Sequence, residues 1–218
     1  MQAIVLHGSL ATAGDWDWKE ALLQALPYAK RLQLAGRDAV AREAGLAGIA
    51  LALLGARRLL AARDAHAPLP RAGDMHFPLD GKPAFDGPPH FSIAHSSVQA
   101  CCALSLEAAL GVDVEFCDLT GDATAVQSLR RWTAIEATLK AAGQGLRHAE
   151  AVSVRPDLSS AALDGVLYAL RPVALLPGSV CHVAATRPPE ISTEFVDLAN
   201  LGVSALLQEH LGLGPQRE

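Results

Sequence analysis

Lysine is scarce in this chain. Four residues are Lys against fourteen Arg, and the 218 residues carry a formal net charge of −5. No dense Lys/Arg run occurs, which excludes the basic face of a nucleic-acid binder. Cysteine is limited to positions 101, 102, 117 and 181, and none forms a C-x-x-C pair, so a zinc ribbon or finger is excluded. Cys101 and Cys102 are adjacent and would face opposite ways in a strand. Buried thiols of this kind fit a reducing, cytoplasmic setting. Long apolar runs are missing too. "AGLAGIALALLGA" (44–56) is short of a membrane span and is flanked by Arg42, Arg57 and Arg58, so a buried core helix and no membrane contact are expected. The first ten residues lack a charged stretch followed by a long apolar one, so no secretion signal is expected. A G-x-S-x-G nucleophile elbow is also absent; "PGSVC" (177–181) lacks the second Gly. The His-Gly stretch "IVLHGSLATAGDW" (4–16) therefore does not make an α/β-hydrolase.

What is present is globular: half the residues are hydrophobic and 19% are charged. The length suits one domain or two small ones. Residues 1–6 read as a strand. "DWDWKEALLQALP" (15–27) reads as an amphipathic helix with Asp15 as N-cap and Pro27 as its end. An Ala/Leu-rich helix is expected over 38–63. Six Pro and three Gly then fill 66–90, a long irregular segment of the kind that is more often functional than idle. Three short strands follow over 90–116, and "TAVQSLRRWTAIEATLKAAG" (124–143) returns to helical spacing with Gly143 as a stop. "AVSVRP", "GVLYALRPV" and "CHVAATR" read as strands, and 196–209 as a final helix. This order gives an α+β chain rather than βαβ units. The two halves have similar outlines, which permits an internal duplication.

The chemistry gathers around "GVDVE" (111–115). On a strand Asp113 and Glu115 share one face. Glu136 and Lys140, spaced i, i+4, share a helix face. If that face packs beside the strand, three carboxylates and an ammonium converge, and three oxygen ligands suit Mg²⁺. The alternative is an exposed strand face beside an ordinary helix ion pair. Upstream, Lys82 follows Gly81 in a loop and His95 ends a strand beside Ser96 and Ser97, a set able to hold a phosphate or simply to be structural.

In sequence order, "GKP…FSIAHS…GVDVE…WTAIEATLKAAGQGL" resembles the 4′-phosphopantetheinyl transferases, in particular the two-lobed Sfp-like type. The likeness covers residues 78–146 well and the C-terminal strands weakly. It implies a fold of two similar α+β lobes related by a pseudo-twofold, here 1–108 and 109–218, each a small mainly antiparallel sheet on a long helix. It also implies a reaction, in which the phosphopantetheine arm of coenzyme A moves to a serine of an acyl, polyketide or peptidyl carrier protein with release of 3′,5′-ADP. The family's metal ligands fall on Asp113, Glu115 and Glu136, for Mg²⁺ or Mn²⁺. Glu136 is also its candidate general base, and Lys140 would neutralise the pyrophosphate or the leaving nucleotide. Lys82 and His95 match residues that hold the nucleotide end. For a further basic group on the N-terminal helices the candidate is Arg42, with Lys30, Arg31 and Arg37 as alternatives. A two-lobed chain can build this site alone, so a monomer is expected.

Three positions depart from the family pattern. Ile135 stands where a cation precedes the helix glutamate, and Ala94 replaces the first serine of the "SHS"-like strand end. Only "FCDLTGDATAVQSLRR" (116–131) fills the space where a longer insert is usual. The competing expectation is a homologue that binds coenzyme A or a carrier and transfers nothing. Trp16 and Trp18 are expected to pack near the first helix, and Trp132 in the core near the site.

Overall fold

Asp38 starts the longest helix by accepting a hydrogen bond from the Ala41 N–H at 2.8 Å. In the computed structural model, which describes residues 1–11, 16–78, 81–117 and 123–202, this helix runs Ala39–Arg63. Two short helices precede it: α1 (Lys19–Ala25) and α2 (Tyr28–Ala35), so the long one is α3. The expected cap Asp15 lies outside the described residues. Pro27 does end α1, but it also opens α2, because a proline at a helix start forfeits no hydrogen bond. Proline has no N–H to leave unpaired there, and α2 was not foreseen.

Two sheets follow. The first has the order β2 (His90–His95), β3 (Gln99–Ser105), β1 (Gln2–Ser9), β9 (Glu190–Phe195). The second has the order β4 (Leu110–Phe116), β8 (Ser179–Ala185), β7 (Val166–Pro172), β6 (Ser160–Leu163), β5 (Ser153–Val154). Among the described residues the last α-helix is α4, Ala123–Ala142, followed by a short 3-10 turn at Leu146–Ala151. The chain is thus mixed α+β with two sheets and several helices.

Strand alternation sorts the core into layers. Leu6, Phe91, Cys102 and Leu104 face α3 and pack against Leu46, Ile49 and Leu53. Val5, Ala94, Cys101 and Ala103 face the second sheet, where Val112, Val114, Cys181 and Val183 meet them. On the second sheet's far face, Leu170 and Ala184 pack with Ala134, Ala137 and Leu139 of α4. The layers run α3, first sheet, second sheet, α4. Cys101 and Cys102 do point opposite ways, and residues 44–56 do form a buried helix face.

The C-terminal part departs from expectation. β9 pairs in parallel with β1, from Gln2 opposite Glu190 to His7 opposite Phe195. A lobe of 109–218 therefore gives one strand back to the first sheet. β1 would otherwise leave a row of unpaired backbone groups at that edge. Residues 196–202 are not helical; Leu198 is buried and its carbonyl accepts from the Trp18 indole N–H at 2.8 Å. The rest of the expected final helix lies outside the described residues. Trp16 and Trp18 stack at 4.9 Å as core residues. Trp132 corrects its expectation: it is 37% exposed, because it sits on the outer face of α4.

Candidate functional site

The site begins with a glycine. A Cβ on Gly111 would lie 2.0 Å from the Ala137 carbonyl oxygen and 2.4 Å from the Ala141 nitrogen. Only a residue without a side chain lets the backbone of α4 rest this closely on β4. Two residues on, along the same face, Asp113 and Glu115 then meet Glu136 and Lys140. Gly143 ends the helix with φ +70°; its N–H bonds the Lys140 carbonyl, and the Gln144 N–H bonds that of Leu139, closing the last turn just past the site.

The Lys140 ammonium donates to Asp113 Oδ1 at 2.6 Å and lies 3.7 Å from Glu136 Oε2. Asp113 Oδ2 is buried without a hydrogen-bond partner among the described residues. One oxygen each of Asp113, Glu115 and Glu136 lie within 4.8 Å of one another. Burial, then the Asp113 charge, holds Glu115 and Glu136 above the ordinary carboxylate range, while Lys140 opposes both. The nearby Trp132 indole also pulls Glu136 down. Burial alone would lower Lys140, but Asp113 and Glu136 outweigh it and keep the ammonium above its usual value. One cation faces three carboxylates, so the cluster is short of positive charge. That deficit and the orphaned Asp113 oxygen are what a divalent cation would satisfy.

The opposite wall comes from the first half of the chain. A cleft of about 620 Å³ is lined by Asp113, Glu115, Glu136 and Lys140 on one side and by Arg37, Lys82 and His95 on the other. Its size suits a cofactor-sized ligand. Lys82 donates to the Leu110 carbonyl at 2.6 Å, fastening the "GKP" loop to the start of β4. Burial pulls its pKa down to about 8. Ser92 makes a second tie, accepting from the Val112 N–H at 3.1 Å. His95 keeps an exposed edge at the end of β2; loss of solvation, then the Lys140 and Arg37 charges, lowers its pKa, and Asp113 opposes them.

The proposed residues thus converge, with one exception. Arg42 lies in the first turn of α3 and lines a different cavity of about 280 Å³ with Asp17, Glu20 and Glu43. Arg37 takes the place in the cleft, since it sits in the link between α2 and α3, at the cleft rim. Lys30 is close enough to Arg37 to be lowered by it, after burial, and rests over the Phe77 ring at 4.8 Å. Arg31 turns to Tyr28 and Gln24. Two departures from the family pattern have local reasons. Ala94 is buried between the sheets at the edge of the cleft, and Ile135 packs against the α4 core. Sequence reasoning missed the packing role of Gly111 and the strand tie of Ser92. A small residue opening a strand that a helix must cover was the available signal for the first.

No family model matches the chain, and no curated protein is significantly similar to it.

Proposed function

We propose that this chain is a 4′-phosphopantetheinyl transferase, moving the arm of coenzyme A onto a carrier-protein serine and releasing 3′,5′-ADP. The observation that carries the reading is the convergence of Asp113, Glu115 and Glu136 with Lys140, facing Lys82, His95 and Arg37 across one cleft. Three carboxylates suit a hard divalent cation, and the cations opposite suit a nucleotide phosphate. The two sheets, each covered by a long helix, fit two related lobes.

In this reading Asp113, Glu115 and Glu136 hold Mg²⁺ or Mn²⁺, which when bound supplies charge neutralisation at the pyrophosphate. Arg37, Lys82 and His95 grip the nucleotide end. Glu136, held above the usual carboxylate range, accepts the serine proton. The serine oxygen then bonds to the phosphorus bearing the pantetheine arm, and the bond to 3′,5′-ADP breaks. Lys140 receives the charge that builds on the leaving phosphate. The four thiols suit a reducing cytoplasm, and both walls of the cleft come from one chain, which suits a monomer. Neither nucleic acid nor membrane has a part in it.

The test is release of 3′,5′-ADP, followed chromatographically, in the presence of an apo carrier, coenzyme A and Mg²⁺. Release should require all three. Tight coenzyme A binding by calorimetry with no release across fatty-acid, polyketide and peptide-synthetase carriers would replace the enzyme with a binding protein.

Two further results are expected. Arg37→Ala should raise KM for coenzyme A about tenfold with kcat little changed, since it removes a ground-state phosphate contact. Arg42→Ala should change KM less than about twofold; equal effects in steady-state kinetics would return Arg42 to the site. The second concerns pH. The folded chain binds the Glu115 and Glu136 protons more tightly than the unfolded chain does. The contribution of Glu115 and Glu136 to stability is therefore present at acid pH and lost as pH rises out of the carboxylate range. Mg²⁺ at about 100 times its Kd should raise the melting temperature by roughly 5 °C at pH 8 and by under about 1 °C at pH 5, where protons compete. A pH-independent shift in a thermal melt would remove the metal from this triad.

A further inference from the structure

The layer between the two sheets holds a pair of thiols. Cys101 on β3 is fully buried and Cys181 on β8 is 3% exposed, and both belong to the cluster that joins the sheets. Both side chains point into that one layer, away from the helices. A neighbouring contact fixes the same alignment: Gln99, two residues before Cys101, bonds Ser179, two residues before Cys181. Residues two apart on a strand point the same way. Ser92 on β2 bonds Val112 on β4. Cys101 pairs with Ala94, two residues past Ser92, and Cys181 pairs with Val114, two residues past Val112. The facing strands therefore bring Gln99 to Ser179 and Cys101 toward Cys181 in one register. Cys102, by contrast, points into the α3 layer.

We propose that Cys101 and Cys181 form a reversible thiol–disulfide couple that staples the first sheet to the second. The proposal rests on the fold and not on the transferase reading. The oxidant class is a small-molecule disulfide such as glutathione disulfide. One cysteine thiolate attacks a sulfur of the oxidant and expels one glutathione thiolate; the second cysteine thiolate attacks the mixed disulfide and expels the other. The protein loses two hydrogens and two electrons, and two glutathione thiols are produced. Access requires transient separation of the sheets. The neighbouring Cys101 thiol, then burial, holds the Cys181 thiol well above its ordinary range, so the reaction is slow and faster at alkaline pH. The bridge would close a loop of about 80 residues and restrain the unfolded chain. It would also fix the spacing between the halves that supply the two walls of the cleft.

The test treats the full chain with glutathione disulfide at pH 8 and pH 9, then titrates thiols after denaturation. Titratable thiols should fall from four to two, with a mass loss of about 2 Da and a Cys101–Cys181 link in the non-reduced peptide map. The melting temperature should rise by about 5 °C or more and return on reduction with dithiothreitol. Cys117→Ala should oxidise as the wild type does, and Cys181→Ala should keep all of its remaining thiols. Because Cys181→Ala could fail to fold, the peptide map of the unaltered chain decides the matter. A link through Cys102, glutathione on Cys117 alone, or four thiols remaining after prolonged oxidation would each overturn the proposal.

Discussion

Asp113→Ala is expected to lower carrier modification by about a thousandfold or more, while the circular-dichroism spectrum stays that of the parent. Asp113 is the most enclosed of the three carboxylates and the one bonded to Lys140. Its removal deletes one oxygen ligand and releases the ammonium toward Glu136, already 3.7 Å away. Burial would still raise Glu115 and Glu136, but they would lose the Asp113 charge that adds to it and move part of the way back toward ordinary values. Glu136 would then be a poorer proton acceptor as well as a member of a depleted ligand set. Lys140 retains Glu136 and some solvent access, so the fold tolerates the change. Asp113→Asn, which keeps the shape and removes the charge, should lose nearly as much activity. Turnover within tenfold of the parent in either variant would remove Asp113 from the metal set.

Gly111→Ala should have the largest effect on stability, about 3–5 kcal/mol, read by urea unfolding. The added carbon would meet main-chain atoms of Ala137, Lys140 and Ala141 at 2.0–2.9 Å, and main chain cannot rotate aside as a side chain can. The strand and the helix must separate, or one must bend. Either response moves Glu136 and Lys140 away from Asp113, so activity should fall with stability. As a comparison, Gly145→Ala meets no atom within 4 Å of the new carbon and should cost under about 1 kcal/mol. If Gly111→Ala unfolds at the parental urea concentration, the close packing of α4 on β4 is not what holds the site.

Much of this was legible in the sequence because its signals are local. The Ala/Leu-rich run marks α3, and Gly143 marks the end of α4. The alternation in "GVDVE" and the i, i+4 spacing of Glu136 and Lys140 name the faces that carry charge. That those faces meet is a tertiary fact, which spacing permits and Gly111 secures. β9 was hidden because "EISTEF" is mostly exposed and lacks an apolar alternation. Its place comes from the backbone of β1, not from its side chains. Arg42 and Arg37 differ by five positions, and only the turn between α2 and α3 decides which one reaches the cleft. The thiol pair spans two strands far apart in the chain, so no spacing rule could have linked it.

The most direct measurement of the central claim is the intact mass of an apo carrier protein after incubation with this chain, coenzyme A and Mg²⁺. The account predicts a gain of one phosphopantetheine on the carrier serine, abolished by chelation of the metal and by Asp113→Ala. A carrier mass that stays unchanged across all three carrier types, with coenzyme A demonstrably bound, would contradict it.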